Sequence, residues 1–244
     1  MSRWLKALPL TLALAALSIF AAGCGGSSNA QVRFVHAIQD GAAMDIDING
    51  TQEFTGIAFL GVQPTQPGHT SVPSGSDLIE GFLTGQTTVA FNSTRISWNG
   101  SQKYTVVATG FVANGQNAVI LSLPDNIPSP SNQVAFRVIH ASPSGPGTVD
   151  VYILLNPATG PTGNPAISGL AYTQASSYVS LAYNPNNNNN FLGYTVYVTA
   201  SGGTQPILTE SINPPDGAVR TLVLTDVQGG KSMNSTFLEL SDLD

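Results

Sequence analysis

Val32-Arg33-Phe34-Val35-His36-Ala37 and Phe136-Arg137-Val138-Ile139-His140-Ala141 are two versions of one phrase, a domain length apart. An Asp inside a β-like run follows each of them, Asp45 in the first and Asp150 in the second. In Met44-Asp45-Ile46-Asp47-Ile48 the alternation puts Met44, Ile46 and Ile48 on one face and both acids on the other. The second version keeps this pattern, with Val149, Val151 and Ile153 opposite Asp150 and Tyr152. The phrases themselves are apolar on both faces, Val32 and Phe34 against Val35 and Ala37, which predicts central, covered strands.

Outward from these stretches, short runs rich in Val, Ile, Thr, Tyr and Phe alternate with Gly, Pro and Asn turns, and no helical period appears beyond the opening segment. The chain therefore reads as all-β. Three prolines between Leu123 and Asn132 interrupt both helix and sheet and mark a boundary. The resulting expectation is two tandem immunoglobulin-like antiparallel β-sandwich domains, 31–124 and 133–244, joined by a Pro/Ser/Asn linker at 125–132. Further pairs support the duplication: Gly56-Ile57-Ala58-Phe59 beside Gly169-Leu170-Ala171-Tyr172. Near each domain's end the turn residues Asn99-Gly100 and Asp216-Gly217 predict a hairpin, Ile96–Trp98 with Lys103–Gly110 and Leu208–Ile212 with Val219–Thr225.

The first 23 residues combine basic Arg3 and Lys6, an apolar core from Ala7 to Ala22 and small residues before Cys24, the pattern of a secretory signal peptide. Cys24 is the single cysteine and stands where a lipoprotein carries its acylated thiol. Ala21 occupies the position usually held by Leu, so processing by an ordinary signal peptidase is the alternative. Residues 24–30 form a flexible tether. The balance of 8 basic and 14 acidic residues gives a formal net charge of −6, made more negative if Arg3 and Lys6 leave with the signal. A nucleic-acid partner is disfavoured by that charge. With Cys24 used as anchor, no thiol is left for a disulfide, a thiolate metal site or a nucleophile.

The first phrase, Met44-Asp45-Ile46-Asp47-Ile48-Asn49-Gly50, Val72-Pro73-Ser74-Gly75 and Lys103-Tyr104-Thr105-Val106-Val107-Ala108-Thr109-Gly110 together resemble the bacterial domain of unknown function 4397. The resemblance covers nearly all of 31–124. The second copy shares the opening phrase, followed by Ser142-Pro143 and Val149-Asp150-Val151-Tyr152, but has Ala182 to Phe191, with its run of asparagines, in place of the Val-Pro-x-Gly step. The resemblance implies secreted or surface-anchored β domains, often in tandem, and brings no activity and no catalytic residues.

A repeated Arg33, His36, Asp45 and Arg137, His140, Asp150 invites a catalytic or metal reading. Strand alternation argues for bracing instead. The histidines close strands and are expected to tie turns through hydrogen bonds, and the arginines to pair with buried or half-buried carboxylates. A zinc site needs three or four convergent ligands, and each domain offers too few histidines. Asp40, Asp45 and Asp47 are candidates for calcium, although the second copy keeps only Asp150. No Gly-x-Ser-x-Gly elbow, His-Glu-x-x-His helix or phosphate loop occurs. Tyr197, flanked by Thr195 and Thr199 on the polar face of its strand, is the candidate exposed aromatic for stacking on a sugar, with a cross-strand pair as the alternative.

The sequence thus predicts a non-catalytic, cofactor-free lipoprotein of the cell envelope, held on a membrane by its N-terminal lipid, in the outer membrane if the cell has one. Its expected partner is a polysaccharide or an envelope protein. An architectural spacer is the runner-up, and a secreted hydrolase the third reading.

Overall fold

The computed structural model describes residues 28–90, 93–113, 118–183, 193–227 and 235–243. The expected signal segment, Cys24 and the asparagines at 186–190 lie outside them. The described chain is an all-β sandwich fold. In the first half, β1 (Ala30–Ile38) is flanked by β4 (Val62–Gln63) and β5 (Thr70–Val72) on one side and β8 (Lys103–Gly110) on the other, with β9 (Val119–Pro124) beyond β8. The facing sheet runs β3 (Thr51–Ile57), β2 (Met44–Ile48), β6 (Gly75–Leu83), β7 (Thr94–Trp98).

In the second half, one sheet has the order β13 (Val179–Ala182), β10 (Gln133–His140), β16 (Val219–Asp226), β17 (Ser235–Leu243). The other has β12 (Ile167–Ala171), β11 (Thr148–Leu155), β14 (Tyr194–Ala200), β15 (Pro206–Ile212). The second half repeats the pairing of the first, with the single strand β13 where the first half has β4 and β5.

Each half closes its two sheets over an apolar core. Val32, Phe34 and Val106 meet Met44, Ile46 and Phe54 in the first; Phe136, Val138 and Leu222 meet Val151, Val196 and Val198 in the second. A third apolar layer joins the halves, made by Val35, Ala37 and Val107 against Ile139, Ala141, Val223 and Leu240. The molecule is therefore a stack of four sheets, with the β1 and β10 sheets inside. This is why both phrases are apolar on both faces: Phe34 looks into its own sandwich while Val35 looks into the other half.

The sheets are antiparallel except that β1 runs parallel to β8 and β10 parallel to β16. One expectation is corrected: the Asn99-Gly100 and Asp216-Gly217 turns do not close hairpins, since β7 pairs with β6, and β15 with β14, so each turn carries the chain across to the opposite sheet. The physical cause lies at the start of the phrase strands. Ser101 N–H donates to Asn29 O and Gln31 N–H to Gln102 O; Gly217 N–H donates to Gln133 O. A turn that pairs with the incoming end of β1 or β10 delivers the next strand alongside it, in parallel.

Candidate functional site

The repeated arginines lie in the seam between the halves and are bound in matching ways. Arg33 donates from Nε to Thr105 Oγ1 on its own parallel neighbour (2.8 Å), from Nη1 to Ser241 O (3.0 Å) and from Nη2 to Asp242 Oδ1. Arg137 donates from Nε to Thr221 Oγ1 (3.1 Å), from Nη1 to Pro124 O (3.2 Å) and from Nη2 to Asp125 Oδ1 (2.6 Å). Each guanidinium thus bonds from Nε to a threonine of its own half and from Nη2 to a carboxylate of the other, and Arg137 Nη2 also reaches Thr105 Oγ1 (3.3 Å). The threonines close the exchange, Thr105 donating to Asp125 and Thr221 to Asp242.

All four charged groups are buried, Arg33 fully and Asp242 at 2% exposure. Burial pushes the Asp125 carboxyl up, yet the His69 hydrogen bond and the Arg137 and Arg33 charges outweigh it and hold it at about 2. His69 Nε2 lies 3.3 Å from Asp125 Oδ2, and Tyr178 occupies the corresponding place by donating its hydroxyl to Asp242 Oδ2 (3.0 Å). Burial raises the Tyr178 hydroxyl pKa, so it stays a donor. Its ring stacks on Arg137, 4.9 Å from the guanidinium carbon.

His36 and His140 each tie the loop that follows their strand. His36 accepts the Ile38 N–H at Nδ1 (3.2 Å) and donates from Nε2 to Ala42 O (3.0 Å). His140 accepts the Ser142 N–H at Nδ1 (3.4 Å) and donates to Pro146 O (2.8 Å). Such a ring is neutral, and burial lowers both pKa values. Its single lone pair is occupied by a backbone N–H, which leaves none for a metal. Phe59 and Tyr172 pack edge-on against the two rings.

Asp45 and Asp150 hold a bulge in the neighbouring edge strand. Between Ile46↔Phe54 and Met44↔Ile57 the edge strand has one residue more than β2, and the same happens between Val151↔Ile167 and Val149↔Leu170. The extra turn is made possible by Gly56 (φ 60°) and Gly169 (φ 62°). Their N–H groups donate to Asp45 Oδ1 (2.7 Å) and Asp150 Oδ1 (2.6 Å). Burial pushes the Asp150 carboxyl up, but the N–H groups of Gly202 and Gly169 and the Ser201 hydroxyl together leave its pKa below the usual range. Burial, then Glu80 and Asp45, raise that of Asp47. The third calcium candidate, Asp40, uses both oxygens on the N–H groups of Val112 and Ala113. Among the described residues no group of three or more His, Cys, Asp or Glu is placed to hold a metal ion.

Ser142, His140 and Asp226 come together without forming a nucleophile, base and orienting acid. The Ser142 hydroxyl donates directly to Asp226, and His140 faces the Ser142 backbone N–H. Catalysis through Ser142 would need its hydroxyl on the imidazole.

Tyr197 is corrected from an exposed aromatic to a buried one, at 5% exposure. The segment after β11 folds back over this face and takes the Tyr197 hydroxyl hydrogen bond at Ala158 O (2.8 Å). Cys24 falls outside the described residues. Sequence reasoning missed Thr105, Thr221, Asp125 and Asp242; the signal for the acids was Leu123-Pro124-Asp125 beside Leu240-Ser241-Asp242, a second repeated pattern at the end of each half.

No curated protein matches the chain. The family model described as Domain of unknown function (DUF4397) matches residues 30–152, from the start of β1 into β11. That is half of the chain, covering the first phrase, the Asp45 bulge, Thr105, Asp125 and the second phrase, and the chain belongs to this DUF4397 family.

Proposed function

We propose that the chain is a non-catalytic lipoprotein of the bacterial cell envelope, anchored through Cys24, in which residues 133–244 are a second copy of the family domain and the joined pair recognises a polysaccharide or a protein partner. One observation carries this reading. The repeated Arg, His and Asp side chains are all engaged in holding the fold, Arg33 and Arg137 between the halves, His36 and His140 in turns, Asp45 and Asp150 at bulges. What the duplication preserves is bracing, and recognition falls to the loops and seam surfaces where the two halves differ.

The test is crosslinking on intact cells with identification of what is captured, together with a glycan array. A specific polysaccharide or protein supports recognition; turnover of a glycan or ester by the purified protein refutes the non-catalytic reading. Loss of membrane retention in Cys24→Ser, with labelled palmitate entering only the wild type, tests the anchor. The second reading is an architectural spacer, favoured by the buried Arg–Asp exchange that fixes one half on the other. It prevails if neither assay captures anything.

A further inference from the structure

The exchange across the seam gives nearly every contact a counterpart. Arg33 meets Ser241 O and Asp242 as Arg137 meets Pro124 O and Asp125, so the end of β17 stands to the first half as the end of β9 stands to the second. One pair of counterparts differs. Against the end of β17 the first half inserts Pro64-Thr65-Gln66-Pro67, whose Gln66 accepts the Ser241 N–H at Oε1 (2.5 Å) and reaches Glu239 O with Nε2 (3.5 Å). Among the described residues the second half has no such plug. Its path from Tyr172 to Val179, which pairs with Phe136, is four residues shorter than the path from Phe59 to Thr70, which pairs with Val32.

The place left open is a cleft of about 440 Å³ lined by Leu123, Pro124, Asn126, Pro128, Ser177 and Tyr178. It is continuous with the seam, because Arg137 also borders it and is held there by Asp125 and Pro124 O. We propose that this cleft is a docking site for a short peptide segment of a partner protein, with prolines flanking a pair of polar residues as in the plug.

Chemistry favours a peptide here. The chain fills the equivalent place with its own polypeptide, and walls of Pro124, Pro128 and Tyr178 suit the flat packing of proline rings on an aromatic and proline surface. Exposed Asn126 and Ser177 supply a carboxamide and a hydroxyl for the polar residues between. Pro124 has no N–H where Ser241 has one, so these two side chains take over the hydrogen bond that anchors Gln66 in the plugged site. The walls are fixed by the seam before any ligand arrives, which lowers the ordering cost of binding.

The assignment rests on the recognition reading and narrows the partner to a protein. Its test is fluorescence anisotropy of a labelled synthetic peptide with the sequence of residues 61–69, titrated with the intact chain in detergent. Saturable binding is expected, weakened at least about tenfold by Ser177→Trp and by Asn126→Trp, which fill the cleft from opposite walls. Replacing both prolines of the peptide by alanine is expected to weaken it similarly. Thermal melts of the two variants should match the wild type. Absence of saturable binding, or binding that both variants leave unchanged, overturns the assignment. Crosslinking on cells separates this from failure of the broader reading: a protein captured equally by wild type and both variants, or a polysaccharide captured alone, removes the cleft and leaves recognition intact.

Discussion

Replacing Arg33 by alanine takes the cation away from Asp242 while leaving that carboxylate buried, with Thr221 and Tyr178 as its remaining donors among the described residues. Breaking a buried, hydrogen-bonded ion pair from one side costs about 3–5 kcal/mol, because the remaining charge stays desolvated. Loss of Arg33 also withdraws its hydrogen bonds from Thr105 Oγ1 and Ser241 O, which keeps the cost at the upper end. At roughly 2–4 °C per kcal/mol for a chain of this size, the melting temperature should fall by about 10 °C or more. Where the damage appears is the sharper test. The lost partner lies in β17, in the other half, so amide exchange should quicken around Leu240–Asp242, while Arg137→Ala should quicken it around Leu123–Asp125. The double variant Arg33→Met with Asp242→Leu removes both charges and should recover most of the loss. An Arg33→Ala protein that melts within about 2 °C of wild type would refute the reasoning, as would exchange that quickens only in the first half.

Acid sensitivity follows from Asp125, whose pKa falls from 3.8 to about 2 on folding. A carboxylate so depressed stabilises the fold above its unfolded pKa, and that stability, of order 2 kcal/mol, is lost as pH drops from about 4 to about 2. Urea midpoints measured across that range should fall more steeply for wild type than for Asp125→Asn. His36 and His140 titrate below their ordinary value in the fold, so each favours the native state above pH about 6.5 and ceases to as pH falls below it; His36→Asn should flatten the urea midpoint between pH 7.5 and 5.5. Gly56→Ala and Gly169→Ala each force an L side chain into a left-handed backbone and should cost about 1–2 kcal/mol, read from denaturant midpoints. Tyr197→Phe removes only the hydrogen bond to Ala158 O and should cost about 1 kcal/mol with no change on a glycan array.

The parts legible in the sequence were those fixed by nearest neighbours along the strand. Alternation in Met44–Ile48 and Thr148–Leu155 gives the inward faces, because the side-chain period of two belongs to the strand itself. The two-faced apolar character of β1 and β10 announced that something covers them, without saying that each covers the other. The carboxylate partner of Arg33 lies 209 residues away, and no local pattern encodes such a distance. The Asn-Gly and Asp-Gly turns misled for a related reason: the same turn residues serve a hairpin or a crossover, and the choice was made by hydrogen bonds to the distant starts of β1 and β10. Tyr197 was misplaced because alternation names the face of a sheet but not what folds over it.

The exchange of carboxylates also predicts how a single half behaves alone. In the first half by itself Arg33 keeps Thr105 and has its own Asp125 as carboxylate, at 3.9 Å, and the faces of Val35, Ala37 and Val107 lose their cover. That surface is nearly self-complementary, since Arg33 and Asp125 of one copy would meet Asp125 and Arg33 of another as they now meet Asp242 and Arg137. Residues 28–126 expressed alone should therefore form a two-fold dimer, each Arg33 paired with the Asp125 of the other copy. The plug loosens this dimer, because Pro124 offers Gln66 no N–H in place of Ser241. Analytical ultracentrifugation should show a concentration-dependent dimer that Arg33→Ala abolishes. A monomer that stays folded at high concentration would mean that the apolar seam and its buried charges tolerate water, and the two halves would then be neighbours held by their linker rather than one body held by exchanged charges.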